Sequence, residues 1–191
     1  MEFEQTRLTD AFVIRPVERR DERGFFARTM CLDEMAGAGI DVRFVQQNMS
    51  VSNRLGTIRG MHFQQAPFQE AKLIRCLRGA IVDIIVDLRP DSPSYMQWQA
   101  FVLDDDNRQG LFVPPGFAHG FQTLTDDVEV TYLVSAPYSP AHEAGLRFDD
   151  PALEIDWPLP PSAVSDKDRA WPLLSERLDP PLAAVAILDA H

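Results

Sequence analysis

Short runs in which apolar and polar residues alternate recur along most of the chain, separated by turns rich in glycine and proline. This period of two is typical of β-strands, whose successive side chains point to opposite faces of a sheet. One segment, Leu32–Gly39, instead has the pattern of a short helix that ends at glycine. The predicted strands are Ala11–Ile14, Phe44–Ser52, Gly56–Gln64, Ala71–Leu77, Ala80–Leu88, Trp98–Leu103, Gln109–Val113, Gly120–Leu124 and Val128–Ala136.

These many short strands predict an all-β fold, and their Gly- and Pro-containing turns favour a cupin-type double-stranded β-helix, or jelly roll. An immunoglobulin-like sandwich is the structural alternative, but the Cys and Trp spacing that it requires is missing. We expect a single domain over residues 1–191, with an N-terminal strand extension and a jelly-roll core at about 44–138. The chain then becomes rich in Pro, Asp and Ala, which predicts a C-terminal cap of loops and short helices at about 139–191.

Composition narrows the possible partners. The net charge of −11 and the pI near 4.7 argue against a nucleic-acid partner. A nucleotide-linked substrate is still possible, because a local cluster of Arg and Lys can hold a diphosphate. The first residues lack the pattern of a secretory signal, and no apolar run reaches membrane-spanning length. We therefore expect a cytoplasmic protein with no membrane partner. The two cysteines form no disulfide framework, and Cys76 is interpreted as a buried structural thiol.

The richest candidate chemistry lies in two neighbouring predicted strands, which carry Arg59, His62 and Lys72. A base flanked by cations suits proton abstraction next to a carbonyl, because the cations stabilise the enolate oxygen that the base creates. Strict alternation would place Arg59 and His62 on opposite faces, since their spacing is odd. Gly60 between them could form a bulge that turns both side chains inward.

Three further residues could complete such a site. Tyr132 shares the apolar face of its strand, where its hydroxyl is either structural or an acid that faces a cavity. His119 follows a doubled proline, and we expect a tight turn to hold it at the mouth of the barrel. Asp168 lies in a charged segment that is either a solvated loop or a carboxylate folded back to orient His62.

A metal site is not expected. The chain has four histidines, but neither His62 nor His119 belongs to the His-x-His pair that cupin metal sites usually need. We therefore predict neither a metal nor another cofactor. The alternative is a metal-dependent cupin dioxygenase, which would contain tightly bound iron.

Several motifs occur together in a specific order: Asp21–Phe26, Gln46–Ser50, Arg59–Gln64, Lys72, Pro115–Phe121, Tyr132 and Asp149–Pro151. In this combination they resemble the dTDP-4-dehydrorhamnose 3,5-epimerase family, and the resemblance runs from about Arg15 to Trp171. It implies a metal-free cupin-type homodimer that exchanges N-terminal strands. The implied activity is inversion of C3 and C5 of dTDP-4-keto-6-deoxy-D-glucose, in deoxysugar biosynthesis of the L-rhamnose type.

The resemblance also implies roles for individual residues. His62 matches the base, Asp168 its carboxylate partner and Tyr132 the acid, while Arg59, Lys72 and His119 surround the sugar carbonyl. Phe26 and Tyr138 either pack against the nucleotide base or are core aromatics. The other matches to substrate or nucleotide contacts are Arg23, Gln46, Asn48, Glu143 and Lys167, and we include Arg28 and Gln47 among the predicted substrate-binding residues.

Three positions depart from the family pattern. The family commonly has Glu at the position of Arg28, Asp at that of Gln47 and Gln at that of Glu70. These changes leave open which nucleotide is recognised and how many centres are inverted. The alternatives are a single-centre 3- or 5-epimerase acting on a dTDP-, CDP- or GDP-linked 4-keto-deoxysugar, and a non-catalytic ligand-binding cupin.

Overall fold

A computed structural model describes residues 1–177, and strands dominate it, as the alternation predicts. The strands are β1 (Glu2–Gln5), β2 (Phe12–Arg15), β3 (Arg19–Asp21), β4 (Gly24–Phe26), β5 (Gln46–Ser52), β6 (Ile58–Gln64), β7 (Lys72–Arg78), β8 (Ala80–Asp87), β9 (Trp98–Asp104), β10 (Gly110–Val113), β11 (Phe117–Thr123), β12 (Val128–Val134) and β13 (Glu143–Gly145). The helices are α1 (Leu32–Gly37), α2 (Asp166–Arg169) and α3 (Leu174–Arg177).

Two antiparallel sheets form the body of the fold. One has six strands in the order β1-β2-β10-β7-β12-β5, and the other has five in the order β13-β6-β11-β8-β9. Strands β3 and β4 form a separate hairpin. This arrangement confirms the predicted all-β jelly roll with an N-terminal strand extension and short C-terminal helices. The two sheets also include β1, β2 and β13, which lie outside residues 44–138.

The main core lies between the sheets and follows from the alternation. Ile81 and Ile85 of β8 pack inward against Val128 and Val130 of β12, and Tyr132 packs on the same cluster. The opposite side chains of β8 point outward into a second cluster, which Leu146, Leu153 and Leu174 of the C-terminal segment cover. Helix α1 and the residues after it cover the outer face of the six-stranded sheet. A polar side chain that points into the space between the sheets therefore needs a functional or structural explanation.

The structure corrects one local prediction and adds elements that alternation did not reveal. Strand β11 begins at Phe117, so His119 lies inside a strand and the prediction that a turn holds it is wrong. Only the preceding residues turn, at Gly116 with φ +85°. Strands β1, β3 and β4 were not predicted because they are short and mostly exposed, and β13 because it has only three residues. Residues 178–191 of the predicted cap lie outside the described residues.

Two smaller expectations concern a thiol and the membrane. Cys76 is buried, and burial raises the pKa of its thiol to about 11, which fits a structural thiol. Over residues 1–177, no helix is long and apolar enough to cross a membrane.

The buried carboxylate of Asp87, the last residue of β8, is held by several hydrogen bonds. Arg89 donates to both oxygens of Asp87, at 2.9 and 2.8 Å, and to the carbonyl of Thr9. Ser94 donates to the same carboxylate at 2.7 Å. Burial alone would raise the pKa of Asp87, but the hydrogen bonds from Arg89, Ser92 and Ser94 outweigh it and lower the pKa to about 2.

We expect Asp87→Asn to lower the free energy of unfolding by about 2 kcal/mol at neutral pH. Because the folded pKa lies below the ordinary value of 3.8, this stabilisation is present above about pH 4 and is lost as the pH falls toward about 2. Urea unfolding at pH 7 and pH 3 should therefore show a smaller difference between wild type and variant at pH 3. Asp91→Asn, an exposed position in the same loop, is the control. An equal difference at both pH values would contradict this assignment.

Candidate active site

A bulge in β6 brings Arg59 and His62 to the same side of the sheet. His62 pairs with His119, but Arg59 pairs with Phe121, so three steps along β6 match two steps along β11. Gly60 lies in this stretch with φ +127°, a conformation that favours glycine. The bulge predicted from the sequence is confirmed, and both side chains line one cavity.

That cavity has a volume of about 500 Å³ and lies between the two sheets. Six of the polar and charged residues in its wall come from five different elements, and the sequence places the outermost two 109 positions apart. The residues are Arg59, His62, Lys72, His119, Tyr132 and Asp168. The structure therefore brings the predicted base, acid, cations and carboxylate together around one space.

His62 and Asp168 form a hydrogen-bonded pair, with 2.5 Å between Nε2 and Oδ1. Asp168 is buried at the start of α2, where its backbone N–H donates to the N-cap Ser165. Burial opposes ionisation of Asp168, but the bond from His62, the imidazole charge and the bond from Ser165 outweigh it and lower the pKa. Asp168 is therefore ionised near neutral pH, and Nδ1 is the ring nitrogen of His62 left for substrate.

The C-terminal segment carries Asp168 to this position by running beside β6. The Ile58 N–H donates to the Ala163 carbonyl at 2.9 Å, and the Ser162 N–H donates to the Gly56 carbonyl at 2.9 Å. These backbone bonds fix the approach to α2, although residues 62 and 168 are 106 positions apart. The sequence left open whether Asp168 lies in a solvated loop or folds back to orient His62. The structure supports the second interpretation.

Two cations are held at the wall by groups of the opposite sheet. Arg59 donates from Nε to Ser52 at 2.9 Å and from Nη2 to the Val51 carbonyl at 2.8 Å. Lys72 donates from Nζ to the His62 carbonyl at 3.2 Å. Burial lowers the pKa of Lys72, and the attraction of nearby carboxylates opposes this shift.

His119 is paired with a fully buried aspartate that the sequence reasoning missed. Its Nε2 lies 2.9 Å from Oδ2 of Asp83, on the next strand of the five-stranded sheet. Burial raises the pKa of Asp83, against the attraction of His119 and Lys72. The available signal was that Asp83 is one of only two charges, with Asp87, inside the otherwise apolar run Ala80–Leu88, at a position where alternation points inward.

Tyr132 reaches the cavity from β12, in the sheet opposite His62. Its phenol is partly buried, and burial raises its pKa, opposed by the positive charge of Arg59. The hydroxyl is therefore neutral near pH 7 and retains a proton that it can donate. A base in one sheet and an acid in the other is a geometry suited to proton transfer on two faces of one ligand.

A smaller cavity of about 150 Å³ adjoins the first and shares His62, Lys72 and Tyr132 with it. Four of the nine remaining predicted contacts line it. Tyr138 donates to Glu143 at 2.7 Å, Glu143 forms an ion pair with Lys167, and Gln46 donates to Asn48 at 2.8 Å. Gln46, Asn48, Tyr138 and Glu143 line the smaller cavity, and Lys167 lines the larger one.

Four predicted contacts lie away from both cavities within this chain. Gln47 points to the other face of β5, where it donates to Thr131 at 3.0 Å. Arg23 bonds Asp21 in the β3–β4 hairpin, and Arg28 pairs with Glu34. Phe26 is 69% exposed. A role for Arg23, Phe26 and Arg28 in a substrate site would require a second copy of the chain, and it remains a prediction.

The donor groups of the site do not form a metal-binding cluster. In residues 1–177, no group of three or more His, Cys, Asp or Glu side chains is arranged to hold a metal ion. The imidazoles of His62 and His119 are each bonded to a separate carboxylate.

The chain is similar in sequence and in fold to known proteins of one family. The family model described as dTDP-4-dehydrorhamnose 3,5-epimerase matches residues 5–176. A protein of that name from Sinorhizobium fredii is 43% identical over 92% of this chain and 91% of its own length. The crystal structure of the Bacillus anthracis enzyme of that name, with TDP and PPi bound, has a TM-score of 0.88 at 44% identity and covers 91% of this chain and 99% of that one. A dTDP-4-dehydrorhamnose 3-epimerase from Streptomyces niveus is 41% identical over 87% of this chain and 80% of its own.

Proposed function

This chain belongs to the dTDP-4-dehydrorhamnose 3,5-epimerase family of isomerases, and from that premise we propose that it inverts C3 and C5 of dTDP-4-keto-6-deoxy-D-glucose in deoxysugar biosynthesis. The observation that supports the proposal most strongly is the placement of His62 and Tyr132 in opposite sheets around one cavity. Arg59, Lys72 and His119 line the same cavity, where they can act as the donors that an enolate oxygen needs.

The proposed reaction consists of two proton transfers at each centre. Nδ1 of His62 removes the proton from a carbon next to the C4 ketone, and the electron pair of that C–H bond moves into the ring as an enolate. Arg59, Lys72 and His119 stabilise the charge on O4, an effect worth several kcal/mol when the donors are already aligned. The Tyr132 hydroxyl then protonates the same carbon from the other face, which inverts the centre.

The charge states of the His62–Asp168 pair and of the Tyr132 phenol suit these roles. The ionised Asp168 stabilises the imidazolium that forms when His62 takes a proton. Tyr132 returns to its neutral form by taking a proton from solvent, while the imidazolium releases one. The cycle therefore balances in protons and needs no cofactor.

The substrate is tested by incubating the purified protein with dTDP-4-keto-6-deoxyglucose and determining the ring configuration of the product by NMR. Inversion at both C3 and C5 would support the proposal. Inversion at one centre would favour the single-centre alternative, which the similarity to the Streptomyces niveus 3-epimerase makes a specific competitor. No inversion, with turnover of a CDP- or GDP-linked sugar instead, would reject the dTDP assignment. Tight binding without turnover of any of these sugars would indicate a ligand-binding cupin.

Tyr132→Phe is expected to separate proton removal from inversion. The variant keeps the ring and its packing but lacks the acid, so inversion should slow by about 10²-fold or more. His62 can still remove a proton and return one from solvent to the same face, so C–H exchange should exceed inversion. The measurement is NMR of exchange and of configuration in the same D₂O sample. Equal losses of exchange and inversion would argue against Tyr132 as the acid.

We also propose that the protein acts as a cytoplasmic homodimer of single-domain chains with exchanged N-terminal strands. Strand β5 is a sheet edge, and the outward apolar side chains of Val45, just before it, and of Met49 and Val51 within it are 55%, 69% and 46% exposed. A row of apolar residues at an unpaired edge is a surface that a second chain could cover. The exposed β3–β4 hairpin would then bring Arg23 and Phe26 to the partner's cavity.

The molar mass of the protein, measured by light scattering after size-exclusion chromatography, tests this assembly. We expect a dimer for wild type and a monomer with reduced turnover for Met49→Glu combined with Val51→Glu, because burying two charges at the interface is costly. Glu2→Lys, at the opposite edge of the six-stranded sheet, is a control for a change of surface charge. A wild-type monomer at micromolar concentration with full activity would contradict the proposal.

A further inference from the structure

Lys72 has a carboxylate partner, Glu70, that the reaction described above does not use. Oε1 of Glu70 lies 3.3 Å from Nζ of Lys72, and the two side chains are only 8% and 10% exposed. Oε2 of Glu70 is buried and, among residues 1–177, has no hydrogen-bond partner. The interaction with Lys72 is therefore the main compensation for burying the Glu70 carboxylate.

The backbone fixes this pair in place. The two residues flank Ala71, whose side chain packs into the cluster on the outer face of the six-stranded sheet. The Ala71 N–H donates to Oγ of Ser135 at 2.8 Å, and the Ser135 N–H donates to the Ala71 carbonyl at 3.0 Å. With Ala71 held outward, alternation directs Glu70 and Lys72 to the same inner side.

We infer that Glu70 is a positioning residue for catalysis, which holds the Lys72 ammonium in the cavity wall between its own carboxylate and the His62 carbonyl. The inference rests on the proposed function for its catalytic consequence, since a fixed cation at this point is what the enolate oxygen would need. It adds to that function a residue outside the predicted base, acid and cation set.

The other groups that face Lys72 do not replace Glu70. Asp83 on β8 and Glu143 on β13 attract the ammonium, but Asp83 is bonded to His119 and Glu143 is paired with Lys167 and Tyr138. Burial raises the pKa of Asp83, which weakens it as a counter-charge. His62 and Tyr132 share the wall but carry no negative charge near pH 7. Among the described residues, Glu70 is the carboxylate that forms an ion pair with Lys72.

The chain is well suited to a direct test, because it has two lysines, Lys72 and Lys167. Protein labelled with ¹³Cε-lysine should give two lysine signals, which a Lys167→Arg variant assigns. In Glu70→Gln, we expect the Lys72 signal to titrate about one pH unit or more below wild type, because burial then acts without its strongest opposing charge. The Lys167 signal should not move. Glu70→Asp should lie nearer to wild type, and Glu129→Gln, on the outward side of β12, should leave both signals unchanged.

A Lys72 titration in Glu70→Gln that matches wild type would overturn the inference. The alkaline limb of kcat/KM should move with the Lys72 signal if the proposed function is right. A lack of wild-type turnover would reject the proposed function alone, since the lysine titration is read without substrate. If Glu70→Gln does not fold, thermal unfolding tests the pairing instead. Glu70→Gln combined with Lys72→Met should then fold and melt above Lys72→Met alone, and a double variant no more stable than Lys72→Met would overturn the pairing.

Discussion

Replacing His62 with asparagine is expected to lower turnover of dTDP-4-keto-6-deoxyglucose by about 10³-fold or more, while the protein stays folded. Asparagine is polar and of similar length, so the contact with Asp168 can persist and the cavity wall should keep its shape. It cannot accept a proton near neutral pH, so the base of the proposed reaction is lost. The loss should therefore fall on kcat, measured by NMR under saturating substrate.

His142→Asn is the matched control for this variant. His142 bonds Oγ of Ser139 and contacts the ring of Phe68, and it lines neither cavity. Its replacement should leave kcat within a few-fold of wild type. The assignment of the base is wrong if His62→Asn keeps most of the turnover, whatever happens to the control.

The second large effect is expected from Gly60→Ala, which changes no chemical group of the site. A Cβ at Gly60 would lie 2.5 Å from Cα of Gly120 and 2.9 Å from the carbonyl oxygen of His119. Both neighbours are backbone atoms of the adjoining strand, so no side chain can rotate away. The φ of +127° adds strain for any L side chain. We expect a loss of about 3 kcal/mol or more in the free energy of unfolding.

Turnover should fall as well, because Arg59 and His62 lie on either side of the bulge and any separation of β6 from β11 moves both. Urea unfolding and kcat measure the two effects separately. Gly37→Ala is the control, because Gly37 is helical and a Cβ added there would meet nothing within 4 Å. That variant should be neutral or slightly more stable. A Gly60→Ala protein with wild-type stability and kcat would show that the bulge does not require glycine.

The strands of the two sheets could be predicted because alternation alone determines which side chains of a half-buried strand enter the core. The same rule places Tyr132 inward and makes Gly60 the one position where a bulge can reconcile Arg59 with His62. It failed at β3 and β4, which are exposed and three residues long, so no burial pattern marks them. It also failed at His119, because the doubled proline marks a turn but not where the next strand begins.

The contacts that complete the site depend on tertiary structure and could not be read from local sequence. Asp168 reaches His62 only because backbone bonds carry the C-terminal segment along β6. Asp83 was detectable as a charge in an apolar run, but its partner His119 lies 36 positions away. Arg23, Phe26 and Arg28 lie away from both cavities of the chain, and a role in substrate binding follows for them only under the proposed dimer.

In the proposed reaction, His62 and Tyr132 exchange protons with opposite faces of the sugar ring next to its ketone. The measurement that tests it most directly is turnover of dTDP-4-keto-6-deoxyglucose by wild-type protein in D₂O, with the deuterium position in the product read by NMR. We expect deuterium at both C3 and C5, each with inverted configuration, and none with His62→Asn. Inverted product without deuterium at these carbons, or deuterium incorporated equally by His62→Asn, would contradict the account.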